Sequence, residues 1–151
     1  MSPLEIDPAQ REVLLAEIDG VLATVREPGA RARYEELAGA IATGIVEERL
    51  VGSLETLTEM SLQTGRVRKL HGAESEQALL RLFHRTPRGA AARQATESVN
   101  QALKGLAGQV LEEMLFTVRA PGVYRLGLST DRVRLALEID RHGVTVESLE
   151  V

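Results

Sequence analysis

The sequence predicts one α+β domain, in which four or five N-terminal helices pack on one face of a C-terminal antiparallel β-meander of three or four strands. Apolar residues recur every three or four positions over about residues 7–114, as in helices with one buried stripe. Over about 115–151 they alternate with polar residues, as in strands with one buried face. Only the helices can cover that face, so we expect a single domain over 1–151.

The composition is that of an ordinary globular protein, with 44% hydrophobic and 26% charged residues in 151. The chain has no Cys, which excludes disulfides, thiolate metal sites and Cys nucleophiles. The sequence has no apolar run long enough to span a bilayer and no signal-peptide pattern at its start. We therefore expect a cytoplasmic protein without membrane contact.

The first helix has a clear start and stop. Asp7 can cap the free N–H groups of the first turn, and Pro8 suits the first helical position. Pro28-Gly29 is expected to end this helix. The following segment, residues 30–64, is helical by its pattern. Its glycines leave open whether it is one helix or two, broken near Gly44 or Gly52.

The next helices are predicted from caps and spacing. Gly65 is a plausible C-terminal cap, and His71-Gly72 resembles a turn. Ser75 can cap a short helix, and Thr86-Pro87 repeats the cap-plus-proline pattern at the start of a longer one. Its apolar period extends through Val110, Leu111 and Met114, so we expect this helix to run nearly to the sheet.

The sheet is predicted to begin with a strand at Leu115–Arg119. Pro121-Gly122 suits a type II turn, and Thr130-Asp131 is read as a two-residue loop that places Leu128 opposite Val133. The register of the last hairpin, at residues 140–143, is left open. Gly143 favours a glycine bulge there, whereas the apolar phase favours a two-residue loop. A slip of that phase between Val146 and Leu149 indicates a bulge in the last strand.

No pattern in the sequence supports catalysis. His71, His84 and His142 lack the spacing of a metal site, and neighbouring acidic residues point to different sides of a helix. The sequence contains neither a G-x-S-x-G elbow nor a glycine-rich phosphate loop. We therefore expect a non-enzymatic protein with no cofactor and no metal.

The central part of the chain is basic although the whole chain has a net charge of −4. Residues 65–105 carry 8 basic and 3 acidic side chains. Such a segment can contact the phosphates of nucleic acid, or pair with the acidic N-terminal helices of the chain itself or with another subunit. If the basic side chains are exposed in one stripe, nucleic-acid binding is favoured. If they pair with Glu35, Glu36, Glu47 or Glu48, a protein-interaction module is favoured. The candidate anion contacts are Arg66, Arg81, Arg85, Arg88 and Arg93.

The last strand, 143–151, indicates self-association. It has neither Lys nor Pro to protect its edge, and bare strand edges pair with other chains. The small-residue stripes of the long helices could also pack across a two-fold axis. We expect a homodimer that acts as a protein–protein interaction or regulatory module. The alternatives are a nucleic-acid-binding regulator using residues 66–104, or a small-ligand sensor with an apolar pocket between helices and sheet.

Overall fold

The computed structural model describes residues 2–151, in which six helices and six strands are found. Helices dominate the first part of the chain, and four long strands follow. The elements in chain order are β1 (Leu4–Glu5), α1 (Pro8–Thr24), α2 (Pro28–Thr43), β2 (Ile45–Val46), α3 (Glu48–Gln63), α4 (Arg66–His71), α5 (Ala73–Phe83), α6 (Pro87–Lys104), β3 (Glu113–Ala120), β4 (Val123–Ser129), β5 (Arg134–Asp140) and β6 (Gly143–Glu150).

The predicted fold class is confirmed, because N-terminal helices precede a four-stranded antiparallel meander that packs against α6. The chain divides into two compact units, residues 1–90 (unit 1) and 91–151 (unit 2), and the division falls inside α6. Each unit has its own apolar core. The single domain expected over 1–151 stays a prediction.

Helix α1 starts as predicted. The Asp7 carboxylate accepts the Gln10 backbone N–H at 2.8 Å, and the Gln10 side chain accepts the Asp7 N–H at 3.0 Å, which forms a capping box. The prediction that Pro28-Gly29 ends this helix is wrong in one respect. Helix α1 ends at Thr24, and Pro28 is the first residue of α2 because its fixed φ and missing N–H suit that position.

The open question about residues 30–64 has a clear answer. Two helices are present, and the break is at Gly44, whose φ of 86° lies in the left-handed region. The chain then forms β2, in which Val46 pairs with Leu4. Gly52 lies inside α3. The core of unit 1 is built on these helices and includes the fully buried Leu14, Ile18, Leu37, Ile41, Leu54, Leu57, Leu79 and Leu82.

Three details of the later helices correct the predictions. Residues 66–71 form the additional helix α4, and Gly72 separates it from α5. Helix α5 begins at Ala73, so Ser75 lies within its first turn and is not its cap. Helix α6 ends at Lys104, because Gly105 follows and Gly108 adopts a left-handed φ of 78°.

The start of α6 is confirmed at the predicted cap. The hydroxyl of Thr86 accepts the Gly89 backbone N–H at 3.1 Å, and the Arg88 N–H is bound by the Glu55 carboxylate at 2.6 Å. Pro87 occupies the first helical position, as its missing N–H allows. Two of the free N–H groups in the first turn are therefore satisfied by side chains.

The sheet of unit 2 has the order β3-β4-β5-β6. It begins at Glu113, two residues before the predicted start. Pro121-Gly122 forms the first turn, with Gly122 at φ 77° as a type II turn requires. The predicted Thr130-Asp131 loop is wrong. The loop is Asp131-Arg132, because the Thr130 hydroxyl accepts the backbone N–H groups of Arg132 and Val133.

This correction leaves the apolar face intact. Leu128 lies opposite Leu135 instead of Val133, and a shift by two residues keeps every side chain on its face. The last hairpin pairs Asp140 with Gly143, which is the two-residue loop that the apolar phase favours. The predicted bulge in the last strand is confirmed, since the register shifts where Leu137 pairs with Val146 and Ala136 with Ser148.

Candidate interaction surface

Strand β3 places three large apolar side chains on the face of the sheet that carries the core. Met114, Phe116 and Val118 lie opposite Leu128, Leu126 and Tyr124 of β4. Directly opposite residues share a face, so β3 extends the apolar face across the whole sheet. We call this side the apolar face, and the other side the polar face.

Helix α6 covers only part of the apolar face. Its residues Val99 and Ala102 pack with Leu128, Leu135 and Leu137, which are at most 7% exposed. A helix is about 10–12 Å wide and strands are spaced about 4.8 Å apart, so one helix shields about two strands. A four-stranded sheet under one helix therefore keeps apolar side chains in contact with solvent.

The uncovered side chains form one cluster, which we call the β3 patch: Met114, Phe116, Val118 and Tyr124. Their exposed fractions are 66%, 57%, 67% and 37% respectively. The rings of Phe116 and Tyr124 stack with their centroids 5.5 Å apart. The chain contains only four Phe and Tyr residues, so half of them lie in this exposed cluster.

Strand β3 is also an edge of the sheet, and all of its eight residues are exposed. The prediction of an exposed edge concerned the last strand, and β6 is indeed the other edge. However, β6 carries the bulge, which disturbs its pairing groups and protects an edge. The register of β3 is regular from Glu113 to Val118 and shifts only near the turn, between Val118 and Ala120.

The polar face of the sheet carries a network of ion pairs. Arg119 lies 3.1 Å from Glu138 and 3.6 Å from Glu147, and Arg125 lies 2.8 Å from Glu147. All four side chains are at least partly exposed, so each ion pair contributes about 0–1 kcal/mol to the free energy of unfolding. The two faces of unit 2 thus differ sharply in chemistry.

Three of the predicted anion contacts make hydrogen bonds or ion pairs within unit 1. Arg66 lies 3.5 Å from the buried Glu17, and Arg85 donates to the backbone oxygen of Glu5 at 3.0 Å. Arg88 binds Glu59 at 2.6 Å. These contacts direct positive charge toward acidic and carbonyl groups of the chain itself.

The remaining two arginines differ. Arg93 lies in unit 2, 3.9 Å from Glu97 one helical turn away, and both are exposed. Arg81 lines an open groove with Ala9 and Glu74. The acidic partners named from the sequence bind other arginines: Glu35 pairs with Arg31, and Glu36 and Glu47 pair with Arg49.

One buried carboxylate was not predicted from the sequence. Glu17 is 5% exposed and lies between Arg66 and His71, whose Nε2 is 3.8 Å from Glu17 Oε1. Glu17 Oε1 accepts no hydrogen bond. The group borders a cavity of about 320 Å³ that Met60 and Thr64 also line. One carboxylate between two basic side chains is an arrangement typical of an ion pair that joins α4 to α1.

Within unit 2, α6 and β6 border an open groove of about 560 Å³. Gln94, Glu97 and Gln101 line its helix side, and Val146 and Leu149 line its strand side. Small-molecule sites are usually concave and bury most of the ligand, which an open groove does not do. The ligand-sensor alternative therefore gains no support from this groove.

Within residues 2–151, no group of three or more His, Asp or Glu side chains is arranged to hold a metal ion. No helix there is long and apolar enough to cross a bilayer.

Comparison of the chain with family models, curated proteins and solved structures found no match. Function is therefore inferred from the side chains and strands of the chain itself. The sequence does contain a signal for the β3 patch. Met114, Leu115, Phe116 and Val118 put apolar residues on both faces of β3, which is unusual for an exposed edge strand.

Proposed function

We propose that this protein is a non-enzymatic protein-interaction module, and that it binds its partner through the β3 patch. The observation that carries the proposal is the exposure of Met114, Phe116 and Val118, each more than half exposed, on a strand with a free edge. Clustered apolar side chains at the surface of a soluble protein are typical of binding sites. Scattered single residues would carry no such meaning.

The size of unit 2 supports the same proposal. It comprises roughly 60 residues, and a unit of that size buries only about 60% of the surface of its unfolded chain. Its core contains one stretch of α6 on one face of the sheet. Binding a partner on the β3 patch would remove further apolar surface from water, at about 25 cal/mol per Å² before the costs of association.

The kinds of residue in the β3 patch also favour a protein partner. Aromatic residues and Met are enriched in the centres of protein interfaces, and charged residues are depleted there. The patch combines Met114 with the stacked pair Phe116 and Tyr124, and the charges of β3 lie on the polar face. The non-enzymatic part of the proposal rests on the sequence, which carries no catalytic motif.

The nucleic-acid alternative has less support. Arg66, Arg85 and Arg88 contact acidic or carbonyl groups of unit 1, which reduces the positive charge that phosphates could use. A protein partner therefore remains our proposal, and the arginines are assigned to contacts within the chain.

Site-specific photocrosslinking in cells tests the proposal. A photoreactive phenylalanine analogue replaces Phe116, which preserves the ring, and a matched variant carries it at Thr145, an exposed residue on the polar face of β6. We expect a discrete protein adduct at position 116 that is several times stronger than at position 145. The adduct should disappear when Val118→Glu is added. Equal adducts at both positions, or none, would contradict the proposal.

A further inference from the structure

We propose that the partner is a second copy of this chain, joined edge to edge through β3 about a two-fold axis at Phe116. The two sheets then form one eight-stranded antiparallel sheet. This inference rests on the proposed function and names the partner of the same surface. Three observations carry it: the direction of the free backbone groups, the apolar pairs and the position of the charges.

The hydrogen-bond pattern shows which backbone groups of β3 are free. Thr130 N–H donates to Val133 O at 2.8 Å, so this pair, which follows Ser129–Arg134 at the end of the β4–β5 ladder, is hydrogen-bonded. Pairs alternate along an antiparallel ladder, and Ser129, Gly127 and Arg125 therefore direct their groups to β3. The Glu112 N–H, which donates to Ser129 O at 2.8 Å, agrees with this assignment.

It follows that Glu113, Leu115 and Thr117 use their backbone groups on β4, their register partners. Met114, Phe116 and Val118 direct their N–H and C=O groups to the free edge. A second strand can satisfy these groups only if its own outward-directed residues lie opposite them. This condition excludes every register that places an even-numbered residue opposite an odd-numbered one.

Among the two-fold registers that remain, axes at Phe116 and at Thr117 each pair seven of the eight residues of β3, and the register proposed is the one centred on Phe116. It places Phe116 opposite Phe116 of the second copy, and Met114 opposite its Val118. These are the exposed members of β3 on the apolar face. The two β3 patches thus become one apolar strip, and its side chains shield one another from water.

The charges select the same register. It places Glu113 opposite Arg119 of the second copy, and the symmetry makes this pair twice. Both side chains belong to the polar face, where Arg119 already contacts Glu138 and Glu147. Axes at Leu115 or Thr117 would leave Glu113 and Arg119 without an oppositely charged residue across the interface.

A dimer joined by one strand pair is small compared with stable interfaces, which bury about 1,200–2,000 Å². We therefore expect a dissociation constant on the order of micromolar, and a weight-average mass that approaches twice 16.4 kDa well above that concentration. Sedimentation equilibrium measures both quantities. A mass of one chain up to millimolar concentration would overturn the inference.

Disulfide crosslinking of introduced Cys residues tests the register. The chain has no Cys of its own, so each variant carries a single thiol at a known position. In the proposed dimer Leu115 lies opposite Thr117 of the second copy in a non-hydrogen-bonded pair, with Cα atoms about 4.5 Å apart, within disulfide range. Leu115→Cys and Thr117→Cys proteins are oxidised separately and as an equimolar mixture with oxidised glutathione. We expect the disulfide-linked dimer in the mixture only.

Each other outcome overturns the proposed register. Crosslinking of Leu115→Cys alone indicates an axis at Leu115, and crosslinking of Thr117→Cys alone indicates an axis at Thr117. No crosslinking in any sample excludes edge pairing through β3. Both substituted positions are exposed, and circular dichroism checks that the variants fold.

A charge reversal tests the ion pairs independently. Glu113→Arg puts like charges opposite each other twice per dimer, so we expect the dissociation constant to rise about tenfold. Glu112→Arg is the matched control, since the neighbouring Glu112 lies opposite Ala120 in this register, and should change it less than about twofold. Equal effects of the two variants would contradict the proposed pairing.

The two proposals fail in different ways. A photo-adduct at Phe116 with a different protein, together with a monomeric purified chain, would overturn the dimer and leave the interaction module standing. The absence of any adduct and of any self-association would overturn both. An adduct with the mass of two chains, with disulfides in the mixture only, supports both.

Discussion

The two units of this protein treat their apolar residues differently. In unit 1, helices pack on helices, and residues such as Leu14, Ile18 and Leu57 are completely buried. In unit 2, one helix lies on a four-stranded sheet, and Leu135 alone among its large apolar side chains is fully buried. Among residues 2–151, ten of the thirteen large apolar side chains that are exposed belong to unit 2.

This difference follows from geometry. Several amphipathic helices can turn all their apolar stripes toward one core, whereas a sheet is a wide surface that needs several helices to cover it. Unit 2 supplies only α6 for this purpose, and the β3 patch remains in water. The difference between the units teaches that the proposed binding surface is apolar core surface that unit 2 does not cover with its own residues.

The sharpest test of the comparison sets a smaller buried residue against a larger exposed one. Leu57→Ala in unit 1 should lower the free energy of unfolding by about 2–5 kcal/mol, because it leaves a cavity. Phe116→Ala, measured where the protein is monomeric, should cost about 1 kcal/mol, chiefly the lost stacking on Tyr124. Urea denaturation measures both, and a larger cost for Phe116→Ala would reverse the comparison.

A second test compares the two faces of β5. Leu137 is 4% exposed and packs in the core with Val99 and Ala102, so Leu137→Ala should cost about 2–5 kcal/mol. Arg134 is exposed on the polar face, and Arg134→Ala should cost less than about 0.5 kcal/mol. Equal costs in chemical denaturation would mean that the polar face is covered as well.

A third, smaller effect concerns a helix cap of unit 1. The Glu27 carboxylate accepts the backbone N–H groups of Ala30 and Gly29, and these hydrogen bonds lower the pKa of Glu27 below its ordinary value. Because the folded-state pKa is the lower one, the stabilisation is fully present above the unfolded-state pKa. It is lost as the pH falls through the folded-state pKa.

Carbon NMR titration of the glutamate carboxyl groups measures this shift. Glu27 should titrate at lower pH than it does in the unfolded chain. In Glu27→Gln the acid-dependent part of the melting temperature should shrink. An ordinary titration of Glu27 would show that the cap has no electrostatic role.

The smallest expected effect is binding to duplex DNA, which we expect to be undetectable at 50 mM salt. The internal contacts of Arg66, Arg85 and Arg88 are the reason. A gel-shift titration tests this, with Arg85→Glu/Arg88→Glu as the comparison variant. Binding that falls steeply with salt and is abolished by these reversals would revive the nucleic-acid alternative.

Local features of the fold were predicted well from the sequence. The caps at Asp7 and Thr86, the turn at Gly122 and the bulge after Val146 are all present. Each depends on residues close in sequence, such as a side-chain oxygen three positions before an N–H group or a glycine at positive φ. The loop after Thr130 was wrong because its hydroxyl binds the following N–H groups, a choice that residue types alone do not specify.

The candidate site was predicted only in part. The sequence indicated an unprotected strand edge, but it pointed to residues 143–151, whereas the larger exposed apolar surface lies on β3. The candidate arginines were identified by their charge, but the residues that they contact could not be predicted from the sequence. Glu17 and Glu59 are far from Arg66 and Arg88 in sequence, and long-range pairs depend on how helices pack.

The sequence by itself determined that β3 has apolar residues on both faces and that helices precede an antiparallel sheet, because side-chain periodicity is a local property of the backbone. Only the tertiary structure decided that β3 is an edge strand. It also decided that α6 does not cover Met114, Phe116 and Val118, which stay exposed. Periodicity specifies the face of a side chain but not its neighbours. Burial depends on those neighbours, which come from distant parts of the chain.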